Sequence, residues 1–101
     1  MASGSTNPSI RVTVDYWAQL REASGRASEV VQMPPNSTVI QLLTYLAQRH
    51  GERLRSLLLD DSGRPRRSNL IMVADRVVTS PDSLALSDGA TVALLSPLAG
   101  G

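Results

Sequence analysis

The residues with the most chemical potential in this chain are its last six, Ser96-Pro97-Leu98-Ala99-Gly100-Gly101. They follow an apolar, strand-like run from Thr91 to Leu95 and finish on a Gly-Gly carboxylate. Two glycines leave the terminal backbone with no side chains and wide torsional freedom. A peptide of that kind can thread a narrow channel and present its carboxylate to chemistry in another protein's active site. A frayed chain end has the same look, so the remaining residues must decide between the two.

Those residues supply little chemistry of their own. There is no cysteine, which removes disulfides, thiolate metal sites and nucleophilic thiols together. His50 is the only histidine, so no His-rich zinc site can form, and its place in a last helical turn marks it as a partner of the helix dipole. No Gly-x-Ser-x-Gly elbow and no Gly-rich phosphate loop occurs. Asp60 and Asp61 form an acidic pair in a loop, and Arg64-Pro65-Arg66-Arg67 is a local basic cluster that could dock on an acidic partner. The expectation is a protein with no catalytic residue of its own and no metal site. The ten basic residues are all arginine. An activated acyl group at the C-terminus would acylate nearby amines, and guanidinium is a far poorer nucleophile than a deprotonated amine. Arginine-only usage therefore fits an activated carboxylate, although drift in composition gives the same result.

Length and composition set the frame. The chain has 101 residues, a net charge of +1 and 42% hydrophobic residues. That suits one domain with a modest core and gives no field that would draw nucleic acid or an anionic membrane. Phe is absent, so Leu, Val and Ile must build the core, with Tyr16, Trp17 and Tyr45 as bulky exceptions. No apolar run reaches membrane-span length and no signal-peptide pattern opens the chain, so the expected location is the cytoplasm.

The elements that must position the tail follow from the patterning. Met1 to Ser9 reads as a flexible leader, 10–95 as the folded domain and 96–101 as a flexible tail. Ile10 to Trp17 alternates, with Ile10, Val12, Val14 and Tyr16 on one face and Arg11, Thr13 and Asp15 on the other, as in a half-buried strand. Ala18 to Gly25 reads as a compact connection, and Ser28 to Met33 as a second strand ended by Pro34-Pro35. Thr38 and Gln41 have capping-box spacing, and Val39, Leu42, Leu43 and Leu46 then recur at helical spacing up to the C-cap candidate Gly51. Glu52 to Leu59 allows a short second helix. Leu70 to Val73 reads as a strand, Val77-Val78 as another short one, and Asp88-Gly89 as the turn into the last strand.

One helix covers only one face of a sheet. In the last strand Val92 and Leu94 face one way, Ala93 and Leu95 the other. Ala93, Leu95 and either Leu70/Met72 or Ile71/Val73 are then left on the uncovered face, where an apolar patch marks a protein interface. The expected partner interface is Leu95, Ala93 and Met72.

Three stretches resemble a known family, the ubiquitin-like (β-grasp) sulfur carriers of the MoaD/ThiS type, and among them MoaD, the small subunit of molybdopterin synthase, most. Tyr16 to Gly25 is similar to the aromatic-Ala-x-Leu-Arg-Glu-x-x-Gly segment after that family's first strand. Thr38 to Gly51 is similar to its main helix, and Leu86 to Val92 with Pro97 to Gly101 to its Asp-Gly turn, last strand and tail. Two departures stand out: Ser96-Pro97 replaces the common Pro-Pro, and Trp17 stands where Phe is commoner, a volume change for the core to absorb.

The resemblance implies an α+β fold, a mixed sheet of four or five strands with one main helix on one face and a short second helix. It also implies a mechanism. A MoeB/ThiF-like adenylating enzyme would use ATP and Mg²⁺ to activate the carboxylate of Gly101. A sulfur donor such as a cysteine desulfurase or rhodanese would then convert it to a thiocarboxylate. A MoaE-like large subunit would take Pro97, Leu98, Ala99 and Gly100 into its active site and pass the sulfur to precursor Z. No cofactor is held permanently. Related carriers serve cysteine, thiamine or tRNA thiolation, and some modify lysines of other proteins. The thiamine carriers tend to lack much of the region spanned here by Glu52 to Arg67, which favours the molybdenum pathway. A plain β-grasp interaction module is the third reading.

Overall fold

A computed structural model of the chain describes residues 9–79 and 83–96. The expected leader, apart from Ser9, and the tail residues Pro97 to Gly101 lie outside the described residues. The elements run β1 (Ile10–Ala18), α1 (Gln19–Ser24), β2 (Ser28–Met33), α2 (Val39–His50), α3 (Glu52–Leu58), β3 (Leu70–Val73), β4 (Arg76–Val77) and β5 (Ala90–Ser96). The five strands form one mixed sheet in the order β2-β1-β5-β3-β4. The central pair β1 and β5 is parallel, and every other neighbouring pair is antiparallel. The architecture is α+β, as expected, with five strands.

Strand alternation assigns the two faces. Val12, Val14 and Tyr16 of β1, Val31 and Met33 of β2, Ile71 of β3 and Val92 and Leu94 of β5 are all buried beneath the helices. The stripe Val39, Leu42, Leu43 and Leu46 of α2 is buried opposite them, joined by Leu54 and Leu58 of α3. Each such side chain contributes on the order of 1.5–3 kcal/mol on leaving water. At the start of α2, Thr38 Oγ1 accepts from Gln41 N–H while Gln41 Oε1 accepts from Thr38 N–H, so the capping box is complete.

Two segments differ from the sequence expectation. Gln19 to Ser24 is a helix rather than a plain connection. Its one apolar anchor, Leu20, is fully buried, so tertiary packing rather than periodicity makes the turn helical. The short fourth strand is Arg76–Val77, one residue earlier than Val77-Val78, because Ala74 and Asp75 close a tight turn with φ of 52° and 65°.

One charged side chain lies inside this core among the described residues. Glu29 is 8% exposed, and its Oε2 accepts from Tyr16 Oη at 2.5 Å and lies 2.5 Å from His50 Nε2. Its Oε1 lies 3.5 Å from guanidinium nitrogens of both Arg26 and Arg49. Burial by itself would raise the Glu29 carboxyl, but the hydrogen bonds from Tyr16 and His50 outweigh it and hold the group below its ordinary value. Burial and the same carboxylate push the Tyr16 phenol well up. His50 thus does more than complement the helix dipole: it ties the end of α2 to β2.

Candidate functional site

The site is the end of β5 and the sheet face beside it. β5 is held at its start by the Asp88-Gly89 turn, where Asp88 Oδ1 accepts from Arg11 N–H at 2.8 Å and Gly89 N–H donates to Arg11 O at 2.8 Å. Gly89 has φ of 86°, a conformation that glycine adopts without strain. From there β5 runs up the centre of the sheet, with Val92 and Leu94 under the helices and Ala93 and Leu95 on the open face. Its last pairs are Trp17 with Leu95 and Ala18 with Ser96 on one side, and Leu70 with Leu95 on the other. Ser96 is buried and paired, so the strand reaches one residue into the segment expected to be tail.

The open face carries an apolar zone beside that exit. Cross-strand pairing places Met72 opposite Ala93 and Val77 opposite Met72. Of the two candidate sets it is therefore Leu70/Met72 that shares the face with Ala93 and Leu95, while Ile71 is buried in the core. Asp15, Trp17, Leu70, Met72, Ala93 and Leu95 line a shallow groove of about 640 Å³. The proposed interface residues Leu95, Ala93 and Met72 thus sit side by side, next to the strand end. Gly101, Gly100, Ala99, Leu98 and Pro97 lie outside the described residues, and Ser96 fixes where they begin.

Trp17 corrects an expectation. It is not a bulky core residue: it is 56% exposed and stands beside Leu95 on the open face. The core therefore absorbs no extra volume at this position. The parity of β1 carried the signal, since Trp17 falls in step with Arg11, Thr13 and Asp15 rather than with Tyr16. Val77, 57% exposed on the same face, is a second contributor that a two-residue strand gave no means of orienting.

Immediately after Trp17 the backbone is strained. Ala18 has φ of 56° and ψ of −128°, outside the range favoured by a residue with a Cβ, and α1 starts there with no side-chain cap. The strained residue is the ladder partner of Ser96, so the distortion sits at the end of β5. Among the described residues no cluster of three or more His, Cys, Asp or Glu side chains could hold a metal. Among the described residues no helix is long and apolar enough to cross a membrane. Asp60 caps its own loop: Ser62 Oγ and the Arg64 backbone N–H donate to it and hold its carboxyl below the usual range.

β5 ends at Ser96 beside an apolar sheet face, and in the sequence Pro97 to Gly101 follow it. The ThiS family model matches residues 14–101. The chain belongs to the ThiS family. No curated protein matches the sequence. Among solved structures, this ThiS-family chain is similar to small archaeal modifier protein 1 from Haloferax volcanii, at 23% identity and a TM-score of 0.80 over 90% of this chain and 99% of that one. It is also similar to a Pyrococcus furiosus protein described as a candidate molybdopterin converting factor, subunit 1 (27% identity, TM-score 0.71, 88% and 99% covered). A third likeness is to a chain in the BexX/CysO complex of Amycolatopsis orientalis (25% identity, TM-score 0.66, 89% and 99% covered). The resemblance read from the sequence is thereby established at the level of ubiquitin-like carriers and modifiers, a class that is typically non-catalytic.

Proposed function

We propose that this chain is a sulfur carrier whose Gly101 carboxylate is activated and then converted to a thiocarboxylate by partner enzymes. The observation that supports it most is the position of β5. The strand is paired on both sides in the middle of the sheet, on the β1 side as far as Ser96, and the sequence after it is Pro97-Leu98-Ala99-Gly100-Gly101.

In the proposed reaction a Gly101 carboxylate oxygen attacks the α-phosphorus of ATP in the activating enzyme, and pyrophosphate leaves. Hydrosulfide-level sulfur from the donor then attacks the acyl carbon and AMP leaves, giving a terminal thiocarboxylate. This chain contributes no acid or base to either step. It supplies a peptide narrow enough to enter the partner's channel and a body that docks through Leu95, Ala93, Met72, Leu70 and Trp17. The large, partly exposed side chains next to the strand end give that docking its apolar contact.

For the acceptor we propose precursor Z, with this chain as the small subunit of molybdopterin synthase and a MoaE-like subunit holding the tail. The Pyrococcus likeness supports that choice. So does α3, whose Leu54 and Leu58 are integral to the core in the region the thiamine carriers tend to lack. A carrier for cysteine or another thiolation pathway is the second reading, favoured by the CysO likeness. The test is the intact mass of the protein after incubation with an adenylating enzyme, ATP, Mg²⁺ and a sulfur donor. One oxygen replaced by sulfur at Gly101 is expected, and deletion of Gly101 should abolish it with the fold intact. Sulfur gain by the deletion variant, or none by the full chain, would overturn the reading. Adding a MoaE-like subunit and precursor Z to the charged protein separates the two acceptors.

A further inference from the structure

Most arginines near the tail end already have partners. Arg26 and Arg49 lie against Glu29, Arg53 lies 4.0 Å from Glu22, and Arg55 3.5 Å from Glu52. Arg66 Nε donates to Ser56 O at 2.6 Å. Two exposed guanidiniums at this end, those of Arg21 and Arg67, make no ion pair or hydrogen bond with another described residue.

Their placement follows from the ladder. β5 is flanked by β1 and β3. Arg21 is the third residue of the short helix α1, three after Ala18, the partner of Ser96. Arg67 lies just before Leu70, the partner of Leu95 on the other flank. β5 therefore ends between a segment carrying Arg21 on the β1 side and one carrying Arg67 on the β3 side. Arg21 and Arg67 thus belong to segments on opposite flanks of β5, whose two neighbouring strands are two spacings, about 10 Å, apart.

We infer that Arg21 and Arg67 form a two-point clamp for carboxylate side chains on the rim of the partner's tail-accepting channel. The inference rests on the carrier reading above. Five residues follow Ser96, and they span at most about 17 Å when fully extended. A partner that draws Gly101 into a buried catalytic centre must bring its rim up to this end of the sheet. A neutral or basic rim would leave two guanidiniums desolvated without partners, which is strongly unfavourable. A rim with acidic side chains to either side of the channel resolves this, and Arg suits the task because its planar fork meets a carboxylate with two parallel bonds. Nucleic acid is a poorer fit: the net charge is only +1, and neighbouring arginines are neutralised by Glu22, Glu29 and Glu52.

The test is ATP–pyrophosphate exchange by the host's ThiF/MoeB-like adenylating enzyme, with the full chain as the varied substrate and ionic strength as a second variable. The double reversal R21E/R67E should raise KM for the chain at least tenfold at low salt, with kcat within twofold. Wild-type KM should climb with salt and the variant's should not. The milder R21Q/R67Q should fall between. R11E/R76E places the same charges at other positions of the sheet and should stay within twofold of wild type. Circular dichroism melts check that each variant is folded. A double reversal that matches wild type in KM and salt dependence overturns the clamp alone, as does an equal effect from R11E/R76E. A wild-type chain that supports no exchange overturns the carrier reading and the clamp with it. Micromolar binding to a fluorescent single-stranded DNA 20-mer that R21E/R67E abolishes, with exchange unaffected, would reassign the pair to nucleic acid.

Discussion

The two faces of this sheet are made from the same strands, one residue out of step, and they are organised on different rules. The helix-covered face is apolar from β2 to β5: Met33, Val31, Val12, Val14, Val92 and Leu94 are all buried. It admits one charge, Glu29, wrapped by Tyr16, His50, Arg26 and Arg49. The open face is zoned. Its β2 and β1 half carries Ser28, Gln32, Arg11, Thr13 and Asp15, and its β5, β3 and β4 half carries Ala93, Leu95, Leu70, Met72 and Val77, with Trp17 joining them. Stability alone asks nothing of the open face except solubility, which an all-polar surface serves best. A contiguous apolar patch on one half, against the isolated Val30 on the other, is what a docking surface would leave.

Adjacent residues of β5 give the sharpest way to break that comparison. Leu94→Ala should cost about 2–5 kcal/mol in urea unfolding, because the cavity lies in the closed core. Leu95→Ala should cost under about 1 kcal/mol, since its side chain is already partly in water, yet it should raise KM for the chain in the adenylation assay. Equal stability losses would show that the open face is core after all.

The closed face's lone charge comes next. Glu29→Gln should lose about 1–2 kcal/mol at pH 7, as charge-assisted hydrogen bonds become neutral ones. Because the folded carboxyl titrates below its ordinary value, its stabilisation is complete above the unfolded value of about 4.3 and fades as pH falls through the folded one. Wild-type and variant unfolding curves should thus converge under strong acid. A gap that persists there would assign the effect to packing.

Ala18 marks where the two faces meet at the strand end. Glycine removes the Cβ that makes its φ of 56° unfavourable, so Ala18→Gly should stabilise by about 0.5–1 kcal/mol. The smallest effect belongs to Val30, 61% exposed on the polar half. Val30→Thr should stay within about 0.5 kcal/mol in stability and leave adenylation KM unchanged, which would confirm that only the half near the tail is used.

Much of this was legible in residue order. Alternation placed Val12, Val14 and Tyr16 inside, the capping box opened α2, and the parity of Val92 and Leu94 predicted which β5 residues stay out. What escaped depended on partners distant in sequence. α1 offered a single apolar residue, Leu20, and helical structure there follows from its burial rather than from any period. Glu29 falls in step with Val31 and Met33, so its inward direction was readable, but the histidine that receives it lies 21 residues on. Trp17 shows the reverse: its parity pointed outward, and its size alone suggested the core.

The parallel pairing of β1 with β5 also bears on how the protein is made. Val12 meets Ala90 and Ala18 meets Ser96, partners about eighty residues apart, the kind of long-range contact that slows folding. During synthesis the centre of the sheet stays empty until β5 has been released. A product cut short anywhere before β5 lacks the middle strand of the sheet and cannot complete its core. The strand that completes the core is the last of the described elements to be made.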